Sequence, residues 1–454
     1  MVKTRVAPSP TGDPHIGTAY TALFNYAFAK KSNGKFVLRI EDTDRTRFIK
    51  DSEAKIIDSL KWLGLFWDEG PIKQSGRLKL YKKAAQNLID NGQAYYCDCS
   101  PQRLERLRSE QQEKKQAPRY DGKCRRNPPK NPKEGSVVVR LKVPEEGETS
   151  FEDLVRGKIT FRNKDVDDAV ILKSDGWPTY HLAVVVDDSD MKISHVIRAE
   201  EWLSSTPKHV LIYEALALPL PVFVHLPLLR NKDRSKISKR KNPVSLLWYK
   251  EQGFLPEALL NYLGLMGWSM PDGREVFSLQ EFIKKFDIKR IDPSGPIFDV
   301  EKLEWLNGEW IRSLPKKDLE NRVKKYSKRD LSDIRKLLPL VYERMRKLAE
   351  FDFLTEFIFS EVKPNLSEVV KKYDESLKKE IVKKMSTKLE KISSWTSGEI
   401  EKAVESEREK IGWSKGDLYM TLRMAISGSS ATPPLFQTME VIGKEKTIAR
   451  LKSP

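Results

Sequence analysis

The sequence predicts an α/β domain that carries an α+β insertion and is followed by an all-α region. Three observations lead there. A short β-type run, Arg5-Val-Ala7, passes through a Pro/Gly/Asp-rich turn into apolar residues at helical spacing. A cation-dense loop, Arg230 to Lys241, lies more than two hundred residues further on, with strand and turn signals between. Past it, apolar residues recur at helical spacing between lysine clusters, as at Leu337, Leu340, Val341, Met345 and Leu348.

The chain has 454 residues, long enough for two to four domains, and a hydrophobic content of 39% that supports folded cores. A net charge of +17 fits a polyanionic partner as well as it fits a merely lysine-rich surface. Met1-Val-Lys-Thr-Arg-Val lacks the apolar region of a signal peptide, and no apolar run is long enough to span a membrane. Three cysteines, Cys97, Cys99 and Cys124, argue for a reducing cytoplasm rather than a disulfide scaffold.

In chain order, the turn Pro8 to Pro14 is followed by Ala19, Ala22, Leu23, Tyr26 and Ala27 on one helical face, so His15-Ile-Gly-Thr18 falls at a helix N-terminus. Unpaired N–H groups and the positive dipole end suit a phosphate there. Gly17 permits close approach, and His15 can donate to phosphate oxygens. The strand Lys35–Ile40 ends in Glu41-Asp-Thr-Asp44-Arg45, carboxylates where open α/β sheets bind ligands. Lys82–Asn91 reads as a helix, Asn127–Pro132 as a Pro/Lys bridge and Val137–Val143 as an alternating strand. Leu246 to Trp268 reads as helical, and Pro271–Arg274 as a turn. The ammonium groups of Arg230 to Lys241 suit phosphates bound by a loop that closes over them. Three thiolates in one window, Cys97-Asp-Cys99 and Cys124, read as a metal site, with zinc the default soft-ligand ion.

Val6-Ala-Pro-Ser-Pro-Thr-Gly12, Pro14-His-Ile-Gly17, Arg39-Ile-Glu-Asp-Thr-Asp-Arg45, Ser174–Ala183, Val196–Leu203, Leu228–Asn231 and Lys236-Ile-Ser-Lys-Arg240 together resemble the class I aminoacyl-tRNA synthetases, specifically the bacterial-type glutamyl-tRNA synthetases. The match runs nearly to the C-terminus. The resemblance implies an enzyme that activates L-glutamate with ATP and Mg²⁺ and transfers it to tRNA(Glu), with tRNA(Gln) as an added substrate in a non-discriminating enzyme. A non-catalytic tRNA-binding paralogue is the alternative. It implies catalytic roles for Thr11, His15, Gly17, Lys236 and Lys239, and ATP contacts from His15, Gly17, Lys236, Ser238 and Lys239. Arg5 and Arg198 would meet the substrate carboxylate, with Tyr180 beside them; Ala7, Ser9 and Glu41 would hold the α-amino and carboxyl end; Glu201 and Trp202 would line the amino-acid and adenosine region. A salt bridge from Arg198 to Glu200 or Glu201 is the competing reading. The family pattern implies an Asn after Tyr180-His-Leu-Ala183, where this chain has Val184.

The spacing of Cys97, Cys99, Tyr120 and Cys124 resembles the structural zinc site of some of these enzymes, which makes Tyr120 a fourth ligand, with Asp98, Asp121 or water as alternatives. The implied organisation is a Rossmann-type catalytic domain from residues 1–80 and 184–211, an acceptor-end-binding insertion over 81–183, a stem-contact region over 212–312 that includes the lysine loop, and a helical anticodon-binding region over 313–454. A cytoplasmic monomer without membrane contact is expected.

Overall fold

The computed structural model describes residues 1–130, 132–133, 135–238 and 243–453. They form two compact units, one of Met1–Lys250 with Pro256–Leu303, the other of Glu251–Leu255 with Glu304–Pro454.

Among the described residues ten strands lie in the first unit: β1 (Lys3–Val6), β2 (Lys35–Ile40), β3 (Glu69–Lys73), β4 (Ala94–Cys97), β5 (Val138–Leu141), β6 (Glu148–Asp153), β7 (Gly157–Arg162), β8 (Val170–Leu172), β9 (His195–Ala199) and β10 (Val222–Leu226). β1, β2 and β3 pair in parallel in that order, and β9 pairs in parallel with β10. The Ser194 amide donates to the Lys3 carbonyl at 2.9 Å, so β9 runs beside β1 and the two sheets share an edge. The near-continuous burial of β2 follows from cover on both faces, the rule for parallel sheets.

The segment expected as an insertion, 81–183, divides in two. β4, β5 and β8 form their own antiparallel sheet. β6 and β7 instead make a hairpin whose inner strand meets β10. Phe151 alternates inward from β6 and packs edge-on against Phe223 of β10, 5.4 Å between ring centroids. The β4–β5–β8 sheet is held by the helix Leu78–Asp90, which buries Tyr81, Ala84, Ala85 and Leu88 on one face.

The expected helix over 246–268 is two helices, Leu246–Glu251 and Pro256–Leu265. Gly253 between them has φ +78°, a left-handed conformation, and Pro256 starts the second helix, where its missing N–H costs nothing.

The second unit has no strand among the described residues. Asp374, Thr396 and Ser414 each cap a helix by accepting the third backbone N–H (Leu377, Glu399, Asp417). The helices share one core, in which Val382, Met385, Leu389, Val404, Leu418 and Leu422 are fully buried. The helix Leu331–Val341 stops before Met345 and Leu348; the chain tightens into a turn, with the Arg344 amide on the Val341 carbonyl at 2.8 Å, and buries both side chains from there.

Candidate active site

β1 has β2 on one side and β9 on the other, so the chain order reverses across it. At such a switch point the loops after the two strands part and leave a crevice at their carboxyl ends. A cavity of about 730 Å³ lies there. Arg5, Ala7, Ser9, His15, Gly17, Glu41, Tyr180, Arg198, Glu201, Trp202 and Lys236 all line it, although they span more than two hundred residues of sequence. Thr11 and Ser238 are exposed and lie outside that lining, and Lys239 lies outside the described residues.

His15 is the N-cap of the helix Ile16–Lys31, and its Nδ1 accepts the Gly17 amide at 2.9 Å. The ring proton is therefore on Nε2. A Cβ on residue 17 would sit 3.1 Å from that Nδ1, so glycine keeps the cap intact. The distant basic segment returns to this helix end. His15 and Ser245 form an isolated antiparallel bridge, with the Ile16 amide on the Val244 carbonyl at 2.7 Å and the Leu246 amide on the Pro14 carbonyl at 2.9 Å. On the other flank, Lys236 bridges Arg230 and its ammonium pairs with Glu201. The two motifs thus share one cleft, with the first helix N-terminus and the Lys236 ammonium both at its wall.

The opposite end is defined by two buried arginines. Arg5 donates through Nε and Nη2 to Asp188, at 3.0 and 3.2 Å, and Asp188 also accepts from Arg39 at 2.6 Å. Arg39 bonds Glu41 at 3.0 Å, and Arg77 bonds Asp187 at 2.7 Å. Burial alone would raise the Asp188 carboxyl; Arg5 and Arg39 outweigh it and hold it below the ordinary range. Arg198, 5% exposed, is held differently. Its donors go to His225 Nε2 at 3.1 Å, Tyr180 Oη at 3.2 Å, His209 Nδ1 at 3.1 Å and Thr206 Oγ1 at 2.8 Å. Among the described residues no carboxylate bonds it. Glu200 pairs with Arg156 and Arg230, and Glu201 with Lys236, which disposes of the competing salt bridge. Tyr180 and Trp202 form an aromatic wall, 4.3 Å between centroids. Val184, where the family pattern implied Asn, is buried in the core beside Leu182, Ile212 and Tyr213 and does not line the cavity.

The three cysteines meet. Their Sγ atoms all lie within 4.8 Å of one another. The Tyr120 hydroxyl is 3.5 Å from Cys97 Sγ and 3.4 Å from Cys99 Sγ, and it accepts the Cys124 amide at 2.8 Å. Asp98 Oδ1 is 3.3 Å from Cys124 Sγ, whereas Asp121 is engaged by Arg103 at 2.5 Å. Burial pushes the Cys124 thiol up to about 12. Burial acts the same way on Cys97, but hydrogen bonds from Tyr120 and Arg140 bring it below its ordinary value. Three convergent sulfurs with a phenol oxygen on the same centre are a donor set that fits a tetrahedral soft-metal site.

Sequence reasoning did not find Arg39, Asp187, Asp188, Thr206, His209 or His225. One signal was available. Asp187-Asp188 follows the apolar run Ala183-Val-Val-Val186, and adjacent acids at the end of such a run imply buried, paired carboxylates.

A histidine-capped helix end and a basic segment converging on one switch-point crevice, with a helical unit following in sequence, are the parts of a class I tRNA synthetase. Residues 1–305 match the model of the tRNA synthetases class I (E and Q) catalytic domain, and residues 316–453 match that of an anticodon binding domain. The chain belongs to the class I (E and Q) tRNA synthetases. Within that family it is 47% identical to a glutamate–tRNA ligase of Acidothermus cellulolyticus, over 99% of this chain and 95% of the relative. It is 45% identical to the glutamate–tRNA ligase of Thermus thermophilus, over 100% and 99%. Among solved structures, the glutamate–tRNA synthetase of Elizabethkingia anophelis superposes with a TM-score of 0.87 at 31% identity, covering 99% of this chain and 98% of that one.

Proposed function

We propose that the chain is a glutamate–tRNA ligase. A glutamate α-carboxylate oxygen attacks the α-phosphorus of ATP, and pyrophosphate leaves with the cleaved bond's electron pair. The terminal 2′-hydroxyl of tRNA(Glu) then attacks the glutamyl carbonyl, and AMP leaves. The observation that carries this reading is Arg198: a buried guanidinium facing the cavity with only neutral hydrogen-bond partners among the described residues. A substrate side-chain carboxylate supplies the missing negative charge, whereas an amide does not. Arg5, whose charge Asp188 matches, lines the same end, and Ala7, Ser9 and Glu41 would face the α-amino and carboxyl groups.

His15 Nε2–H and the helix end around Gly17 would donate to phosphate oxygens beside the Lys236 ammonium, and the family resemblance implies that Thr11, Ser238 and Lys239 act with them. Such chemistry needs positioning and charge neutralisation more than a general base. Mg²⁺ with the nucleotide supplies further neutralisation of phosphate charge. Cys97, Cys99, Cys124 and Tyr120 would hold Zn²⁺, which would cross-link the end of β4 to the segment carrying Tyr120 and Cys124. The proposed division of labour is catalysis by residues 1–80 and 184–211, joined in the cavity by Tyr180 and by Lys236 of the lysine loop, the acceptor end held by 81–183, stem contact by 212–312, which includes that loop, and anticodon reading by 313–454. No helix among the described residues is long and apolar enough to cross a membrane. The place of work proposed for such an enzyme is the cytoplasm.

The test is charging of purified tRNA(Glu) and tRNA(Gln) with labelled glutamate and glutamine, alongside ATP–pyrophosphate exchange with tRNA present. Glutamate should load onto tRNA(Glu), and the tRNA(Gln) arm separates a discriminating from a non-discriminating enzyme. Lys239→Ala should sharply lower activation and leave tRNA affinity nearly intact. Absent exchange and charging, with tRNA still bound, would mark the non-catalytic paralogue instead.

A further inference from the structure

Arg198 is the end of a hydrogen-bonded chain of histidines that the proposed reaction does not use. A guanidinium only donates, so His209 Nδ1 must accept from Arg198 at 3.1 Å, and the His209 proton sits on Nε2. That nitrogen faces His181 Nδ1 at 3.1 Å, which accepts it in turn. By the same reasoning His225 Nε2 accepts from Arg198, so the His225 proton is on Nδ1, 2.7 Å from Asp153 Oδ2. Asp153 is itself fixed by the amides of Val155, Arg156 and His225. Burial, with the Arg198 charge alongside, holds His209 well below the ordinary histidine range, so the ring next to Arg198 is uncharged.

We propose that His209 is a positioning residue that aims Arg198 and, through the chain to His181, leaves the full arginine charge for a ligand carboxylate, so that this histidine sets the selection of an acidic over an amide side chain. The inference rests on the reading of the site as a glutamate pocket. Two alternatives at this position would defeat the device. A carboxylate would neutralise Arg198 internally and remove the electrostatic reason to prefer glutamate. An apolar residue would strand an Arg198 N–H and let the guanidinium turn. Asparagine can place its amide oxygen close to where the imidazole Nδ1 lies and should preserve the contact.

Three variants, His209→Asn, His209→Leu and His209→Asp, are compared in tRNA charging, with KM measured separately for glutamate, ATP and tRNA. For glutamate, Asn should stay within about threefold of the parent, and Leu should rise about tenfold or more, the loss of one charge-assisted hydrogen bond. Asp should rise most and should narrow the preference for glutamate over glutamine. KM for ATP and tRNA should hold. His181→Phe, which removes the acceptor for His209 Nε2–H from a less buried position, should shift the glutamate KM in the same direction by a few-fold, and it serves if the His209 variants fail to fold. Equal losses for all substrates, Asn no better than Leu, or an unmoved glutamate KM in Asp would each overturn the inference. Failure of the unmodified chain to charge tRNA with glutamate rejects the functional reading itself; intact charging with a flat KM across the variants rejects only this step.

Discussion

Asp188→Asn should be among the most costly single substitutions in the catalytic unit. Arg5, Arg39 and Arg77 there face Glu41, Asp187 and Asp188, three guanidinia against three carboxylates. Asp188 is 2% exposed and accepts three of the bonds, two from Arg5 and one from Arg39, which is fully buried. Asparagine keeps the shape but removes one negative charge, and its amide nitrogen would point a donor at a donor. Breaking a buried pair from one side costs about 3–5 kcal/mol, because the partner charges stay buried. At roughly 2–4 °C per kcal/mol for a domain near this size, the melting midpoint of the catalytic unit should fall by about 6–20 °C. Asp190→Asn is the control. Its side chain is half exposed and bonds the outer edge of Arg77, so it should cost less than about 1 kcal/mol. The Asp188 carboxylate also sets an acid dependence. Its folded pKa is depressed, so the stability it supplies is complete above the ordinary aspartate pKa of about 4 and is lost as pH falls through the lower folded value. A calorimetric scan at neutral pH showing D188N within about 2 °C of the parent would refute the argument that these charges act as one cluster.

Purified protein should contain about one zinc per chain, and Cys124→Ser should lose most of it, read by elemental analysis. Tyr120→Phe removes the oxygen that touches Cys97 and Cys99 while keeping the ring under Arg140; if Tyr120 is the fourth ligand, zinc affinity in a chelator competition should fall about 10- to 100-fold. In the second unit, Arg450→Met should destabilise by about 1–3 kcal/mol in urea unfolding. Its guanidinium donates to the carbonyls of Ile426, Phe357 and Ser360, the last two at the end of the helix Glu350–Phe359.

Local chemistry determined a good deal from the sequence alone. Pro8 to Pro14 followed by His15-Ile-Gly17 states a turn and a helix N-terminus, because proline, glycine and a capping side chain act on their own neighbours. The three cysteines announced a cluster, since few other reasons gather thiols in one short window. Periodic apolar residues gave the helices of the second unit and of 246–268 in the first, although the turn after Val341 and Gly253 divided what periodicity alone joined. Tertiary structure decided what depends on partners remote in sequence. Arg5 and Asp188 are 183 residues apart, so no local pattern could pair them. Nor could it show that Val184 packs into the core, or that Arg198 meets two histidines and a threonine rather than the glutamates two and three residues after it. Those neighbours are claimed by Arg156, Arg230 and Lys236. The residue types of the pocket were written in the chain, but the charge left over for a substrate is a sum over contacts, and only the folded arrangement of β1, β9 and the helix Tyr180–Asp190 fixes that sum.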